Sequence, residues 1–285
     1  MIKQLTVIGV GLIGGSLARA LKDAGVVEEV IGCGRDKDQL QQAIELGVID
    51  KYETDVAKSV TGSDVVVVAV PVGAMEPIFR DIKNAISEQA VITDVGSTKG
   101  SVINAVRAAY GEVPDNFVPG HPIAGTEKSG VAASFAGLFH QRRVVLTPMD
   151  NTDADAIERV RNMWEATGAI VSLMDIKHHD DVLAATSHLP HLLAFALVDT
   201  LAALDEKAEI FQYAAGGFRD FTRIASSEPQ MWHDICVNNR DAILPILKRF
   251  QADLAQLGDA IDSNDSDYIL DVFKRAKASR DQFSH

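Results

Sequence analysis

Close to the start of the chain, Gly9-Val10-Gly11-Leu12-Ile13-Gly14 sits between a β-branched run (Leu5–Ile8) and a segment of helical period (Leu12–Ala24). No other feature restricts the fold as much. In a GxGxxG turn between strand and helix, the first glycine permits the tight turn and the second lets a diphosphate approach the backbone. The third lets helix and strand pack closely, and the phosphates rest on the helix N-terminus. The spacing predicts a dinucleotide site formed by Gly9, Gly11, Leu12, Ile13 and Gly14. A glycine turn without a ligand is the competing reading.

The alternation begun there continues to about residue 174. Short apolar runs at Val30–Gly32, Val65–Val70, Ala90–Val95, Asn116–Val118, Val144–Thr147 and Ile170–Leu173 are mostly separated by helical periods. This predicts βαβ units and a Rossmann-type, doubly wound parallel sheet. Val65–Val70 has the unbroken apolarity of a central strand covered on both faces. After Asp175 no strand-like run appears. Helical periods at Lys177–Ala185, Pro190–Ala203, Ala208–Tyr213, Gln230–Asn238, Arg240–Leu257 and Asp267–Ala278 fill the rest, with Ser227 as the expected cap before Pro229. The fold class is therefore α/β followed by an all-helical domain, with domains at 1–174 and 175–285. The stretch Val182–Leu204 is apolar around most of its circumference, so the helical domain is expected to bury it in a homodimer.

Composition closes off several functions. Forty acidic against twenty-seven basic residues give a net charge of −13, which repels a nucleic-acid backbone. A small anionic substrate then requires locally focused cations. Val182–Leu204 carries Ser187, His188, Pro190, His191 and Asp199, costly in lipid, and the N-terminus has no signal-peptide pattern, so no membrane role is expected. Cys33 and Cys236 fit a reduced, cytoplasmic chain, and no metal is expected.

The end of the second strand bears on the cofactor. An enzyme using NAD carries a carboxylate there for the ribose diol. Here the position falls on Gly34, followed by Arg35 and Asp36. Glycine removes repulsion toward a 2′-phosphate and arginine can pair with it, so NADP is favoured over NAD. Asp36 taking the NAD ribose, and Arg35 as a solvated loop residue, remain open.

Chemistry is expected from polar residues at later strand ends. Thr93–Lys99 follows one strand and contains Ser97. Pro119–Gly125 follows the next, its prolines and glycines expected to hold an irregular loop around His121. A histidine so placed suits a general base, or is simply structural.

Five segments in order, GVGLIGGS, DVGSTKG, PGHPIAGTEKSG, SHLPH and GGFRDFTRIA, resemble the prephenate and arogenate dehydrogenase family, in its monofunctional form, over nearly the whole chain. The resemblance implies a step of tyrosine biosynthesis. A cyclohexadienol bearing two carboxylates loses hydride to NAD(P) and its ring carboxylate as CO₂, giving 4-hydroxyphenylpyruvate from prephenate or tyrosine from arogenate. It implies that His121 takes the hydroxyl proton, with Ser97 hydrogen-bonded nearby. Arg223 would hold a substrate carboxylate, its alternative being a salt bridge to Asp220. His188 and His191 would line the pocket, with a buried structural pair as the alternative, and Glu127 and Asp220 would frame it. Trp232 reads as core packing and Cys236 as buried and inert. The competing functions are a 3-hydroxyacid or imine reductase, which would need a lysine or imine-binding surface in the helical half, and a non-catalytic NADP sensor, which would lack His121 and Ser97.

Overall fold

A computed structural model describes residues 1–282 of the chain. By packing, the chain divides into two units, Met1–Arg240 and Asp241–His285. The first contains a six-stranded parallel sheet of β1 (Ile2–Ile8), β2 (Val27–Cys33), β3 (Lys51–Glu53), β4 (Val65–Val68), β5 (Val91–Asp94) and β6 (Phe117–Val118), ordered 3-2-1-4-5-6. The chain runs outward from β1 to β3, then returns to lay β4 on the other side of β1. The reversal opens a crevice at the carboxyl ends of β1 and β4, where open α/β sheets take their ligands. Helices α1 (Leu12–Asp23), α2 (Lys37–Glu45), α3 (Val56–Ser59), α4 (Met75–Ile82) and α5 (Lys99–Tyr110) make the crossovers.

The apolar run in β4 shows why the sheet is covered twice. Val65 and Val67 enter one core with Leu17 and Leu21, while Val66 and Val68 enter another with Phe79 and Phe117. Successive strand residues face opposite sides, so each valine is buried, contributing about 1.5–3 kcal/mol.

The runs near 120, 144 and 170 do not extend this sheet. They form a separate three-stranded sheet of β7 (Gly120–Pro122), β8 (Arg143–Leu146) and β9 (Ile170–Leu173), with β7 antiparallel and β9 parallel to β8. Between β8 and β9 lies α6 (Ala154–Glu165), capped by the Asp153 carboxylate. Pro119 has no N–H and ends the β6 ladder after two residues, and the chain turns directly into the second sheet. His121 is consequently a strand residue paired with Val145, which corrects the expectation of an irregular loop.

Helix α7 (Ile176–Leu183), a wide π turn (Ala184–His188) and α8 (Leu189–Ala202) run as one continuous helix from Ile176 to Ala202. The sequence pattern predicts two helices here, Lys177–Ala185 and Pro190–Ala203. Pro190 sits in the turn that follows the π-type bonding, so the helix passes through it. Then come α9 (Lys207–Gln212), α10 (Gly216–Thr222) and α11 (Pro229–Asn238). The cap of α11 is Glu228, whose carboxylate accepts from Gln230 N, rather than Ser227. The second unit comprises the two helices α12 (Arg240–Asp262, from Asp241 on) and α13 (Ser266–Gln282), joined through Asn264 in left-handed backbone at φ 55°.

Candidate active site

The glycine turn sits at the carboxyl end of β1. Gly9 has φ +98°, and a Cβ there would lie 2.5 Å from the Ala69 carbonyl oxygen beyond β4. A Cβ on Gly14 would fall 2.3 Å from the Gly9 carbonyl oxygen. At Gly11, by contrast, a Cβ would meet nothing within 4 Å among the described residues. So Gly9 and Gly14 are required by the protein's own packing, and Gly11 faces open space where a diphosphate needs backbone access. No side chain caps the N-terminus of α1, so its N–H groups at Leu12 and Ile13 are offered outward. These residues fit a dinucleotide. At the end of β2, Gly34 follows the last strand residue Cys33, and Arg35 is exposed. Asp36 is engaged as the cap of α2, accepting from Asp38 N at 2.9 Å and Gln39 N at 3.2 Å.

From β5 onward the backbone is held by a buried ion pair. Asp94 and Lys99 both have fully buried side chains and contact each other. The ammonium also donates to the Gly120 carbonyl at 2.6 Å, and the Asp94 carboxylate accepts from Gly96 N at 2.7 Å and Gly120 N at 3.2 Å. A Cβ on Gly120 would come within 3.0 Å of the Asp94 carbonyl oxygen, so β7 can approach β5 this closely only with glycine. Burial lowers the Lys99 pKa, against the raising influence of Asp94. Removing either partner would strand a buried charge. The pair fixes the residue immediately before His121, a link the sequence does not disclose. Ser97, half-buried, lies in the connection from β5 to α5.

His121 is 8% exposed. Its Nδ1 lies 2.9 Å from His179 Nε2, and His179 Nδ1 lies 2.8 Å from the Asp180 carboxylate. That carboxylate also accepts from the backbone N–H groups of Lys99 and Gly100, at 2.8 Å each, at the start of α5. Burial, reinforced by His179, Lys99 and His188, holds the His121 pKa well below 6.5, so its ring is neutral at physiological pH. Further along the helix, burial holds His188 at about 4, and Asn239 Nδ2 lies 3.0 Å from its Nδ1. His191 stacks on Trp232 with ring centroids 3.6 Å apart, and its pKa is lowered by burial and by Arg223. The Nε2 of His188 and the Nε1 of Trp232 are buried without a hydrogen-bond partner among the described residues.

The structure thus groups His121, His188 and His191 and places Arg223 by His191. Arg223 pairs with Glu127 at 3.4 Å, both side chains largely exposed, instead of with Asp220. Asp220 is exposed on α10. Trp232 is buried, as core packing requires, yet it also forms the wall against which His191 lies. Sequence reasoning misses His179 and Asp180. Their only signal is the pair His179-Asp180 inside a predicted helix, indistinguishable in sequence from a solvated polar face.

Residues 17–173 match the model described as prephenate dehydrogenase, nucleotide-binding domain, and residues 175–275 match prephenate dehydrogenase, dimerization domain. The chain belongs to the prephenate dehydrogenase family. Within that family it is 41% identical to the cyclohexadienyl dehydrogenase of Zymomonas mobilis, over 98% of this chain and 95% of that one. It superposes on prephenate dehydrogenase from A. aeolicus, crystallised with hydroxyphenyl propionate and NAD+, with a TM-score of 0.92 and 34% identity over 100% and 99% of the two chains. It also resembles Synechocystis arogenate dehydrogenase, with a TM-score of 0.81 and 26% identity over 98% and 99%. The family's two models meet between 173 and 175, where the strand pattern ends. Packing divides the chain later, at 240/241. One reason is that Asp180, on α7, binds the start of α5.

Proposed function

We propose that the chain oxidises and decarboxylates prephenate, arogenate or both, with hydride transfer to NAD(P), as a step of tyrosine biosynthesis. Gly9, Gly11, Gly14 and the N–H groups of Leu12 and Ile13 would hold the diphosphate, and Gly34, Arg35 and Asp36 would meet the adenine ribose. The bound nicotinamide supplies the hydride acceptor. Residues 1–174 would hold the cofactor and supply His121, Ser97 and Glu127, and residues 175–285 would supply the rest of the substrate site and the dimer contact.

The observation that carries the reading is His121: neutral, buried and fixed in a strand against β5, at the carboxyl end of the dinucleotide sheet. A neutral imidazole can take the C4 hydroxyl proton as hydride departs, leaving an alkoxide-free path to the ketone-like state from which CO₂ is lost and the ring becomes aromatic. Ser97 would hold the hydroxyl. Arg223, paired only loosely with Glu127, is free to exchange that partner for a substrate carboxylate, and its guanidinium supplies the local positive charge a −13 chain needs for a dianion. His188 and His191 would line the pocket, and Glu127 and Asp220 would frame its mouth.

We infer a cytoplasmic homodimer. Leu192, Leu193, Phe195, Leu197 and Val198 on α8 are not fully buried, although the helix is apolar on nearly every side. The continuous helix 176–202 is long and apolar enough to cross a bilayer, but His179, Asp180, His188 and His191 belong to the polar site. A second copy suits it better. Sedimentation at micromolar protein should return a dimer, and a stable active monomer would refute this.

The function is tested by following absorbance at 340 nm with prephenate and arogenate, each with NAD and NADP. Turnover in any of the four mixtures supports the reading. Silence in all four, from folded protein that binds the nucleotide, overturns it in favour of a sensor.

A further inference from the structure

We propose that His179 and Asp180 are positioning residues that set the tautomer of His121, leaving its Nε2 bare to receive a proton. The chain of bonds starts at the carboxylate. Asp180 Oδ1 accepts from Lys99 N and Oδ2 accepts from Gly100 N, both at 2.8 Å, and Oδ1 also lies 2.8 Å from His179 Nδ1. An ionised carboxylate can only accept, so His179 Nδ1 carries the proton of that ring. An imidazole whose one proton sits on Nδ1 presents a bare Nε2. That atom is 2.9 Å from His121 Nδ1, which must therefore be the donor. The remaining ring nitrogen of His121, Nε2, is then proton-free.

Other groups around the pair do not offer a competing assignment. The Lys99 ammonium is committed to Asp94 and the Gly120 carbonyl. Asn239 Nδ2 donates to the Asp180 carbonyl and lies 3.0 Å from His188 Nδ1, tying α7 and the π turn together without reaching His121. When His121 Nε2 accepts the substrate hydroxyl proton, the O–H bond breaks, an N–H bond forms and the ring becomes a cation. Its Nδ1–H then points down a chain of two hydrogen bonds that ends in a carboxylate. No proton has to move onto Asp180. The same logic operates where an aspartate holds a catalytic histidine in one tautomer, and inverting that tautomer lowers kcat about 10⁴-fold.

This inference rests on His121 being the base, but its first test does not require turnover. Nitrogen-15 NMR of histidine-labelled protein distinguishes protonated from bare ring nitrogens, with His121 assigned from a His121→Asn sample. His121 should appear with Nδ1 protonated and Nε2 bare. A His121 with its proton on Nε2 in the unsubstituted protein would overturn the proposal whatever the enzyme's substrate. His179→Gln can keep the arrangement, its amide NH₂ toward Asp180 and its oxygen toward His121, and should hold kcat within about tenfold. His179→Leu cannot, and together with Asp180→Ala should lower kcat by a further tenfold or more, with KM for both substrates within about threefold. Because Asp180→Ala also frees the start of α5, the Gln and Leu pair carries the comparison if that variant is unstable. Equal kcat and equal His121 nitrogen shifts in the Gln and Leu variants would show that His179 only fills space.

Discussion

The glycine turn follows β1 and the histidine cluster gathers around β5 and β7, and the two are built in opposite ways. The turn is made by one run of six residues, and its function is carried by backbone: what a Cβ would strike at Gly9 and Gly14, and what it would not strike at Gly11. The cluster is made from β5, β7, α7, the π turn, α8 and α11, and its function is carried by side chains that touch across 58 residues of sequence for His121 and His179, and 51 for His188 and Asn239. A local site can be damaged by shape alone. A dispersed one fails through its charge and proton arrangement.

The largest effect should come from the dispersed site. His121→Asn keeps polarity and approximate volume but removes the proposed base, so kcat should fall ~10²–10⁴-fold with substrate and nucleotide KM little changed. Steady-state kinetics decide it, and near-normal kcat at neutral pH would take His121 out of the mechanism. The glycine turn should divide in two. Gly14→Ala forces a Cβ to within 2.3 Å of a backbone oxygen and should destabilise the protein by about 1–3 kcal/mol in thermal melts. Gly11→Ala meets nothing within 4 Å among the described residues and should leave the melt alone while weakening nucleotide binding. If both behave alike, the contrast between packing glycine and binding glycine is wrong.

Acid should also separate the regions. His121 and His188 are buried with lowered pKa values, His188 at about 4 against an ordinary 6.5. The unfolded chain takes up these protons near pH 6.5 and the folded chain does not, so stability is full above that pH and declines as pH falls below it. A tenfold change in a proton-binding constant is worth ~1.4 kcal/mol, making the loss from His188 alone about 3 kcal/mol by pH 4. Urea titrations at pH 7.5, 6 and 5 should show the fall, and it should shrink in a His188→Asn variant. The glycine turn has no titratable side chain within it and contributes nothing.

What the sequence discloses follows the same division. Alternating periods name the parallel sheet, because β-branched runs such as Val65–Val68 record burial on both faces directly. Motif matching names His121, His188, His191 and Arg223, but not their mutual contacts. The short β7 is hidden because three residues, one of them proline and one glycine, carry no period, and its pairing with β8 depends on residues more than twenty positions away. Lys99 is hidden for a related reason: a lysine opening a helix reads as solvated, and only the position of Asp94 and Gly120 beneath it explains its burial.

The smallest effect tests where the local site ends. Beyond the glycine turn, in the proposed reading, the ribose end of the nucleotide comes to Gly34, Arg35 and Asp36. Asp36 already accepts two backbone N–H bonds as the cap of α2, which leaves it a poorer partner for a ribose diol than a free carboxylate at Gly34 would be. Glycine there offers neither that partner nor repulsion to a 2′-phosphate, and Arg35 stands exposed beside it. An exposed pair is weakened by water and salt, to roughly 1 kcal/mol or a fewfold change in affinity. Arg35→Ala should accordingly raise KM for NADP about threefold to tenfold at low salt and leave KM for NAD nearly unchanged. The gap between the two cofactors should narrow as ionic strength rises. If both KM values move together, Arg35 acts on the shape of the turn after β2 and not on the phosphate. If the unsubstituted enzyme works with NAD alone, Asp36 takes the ribose, and the preference for NADP is wrong.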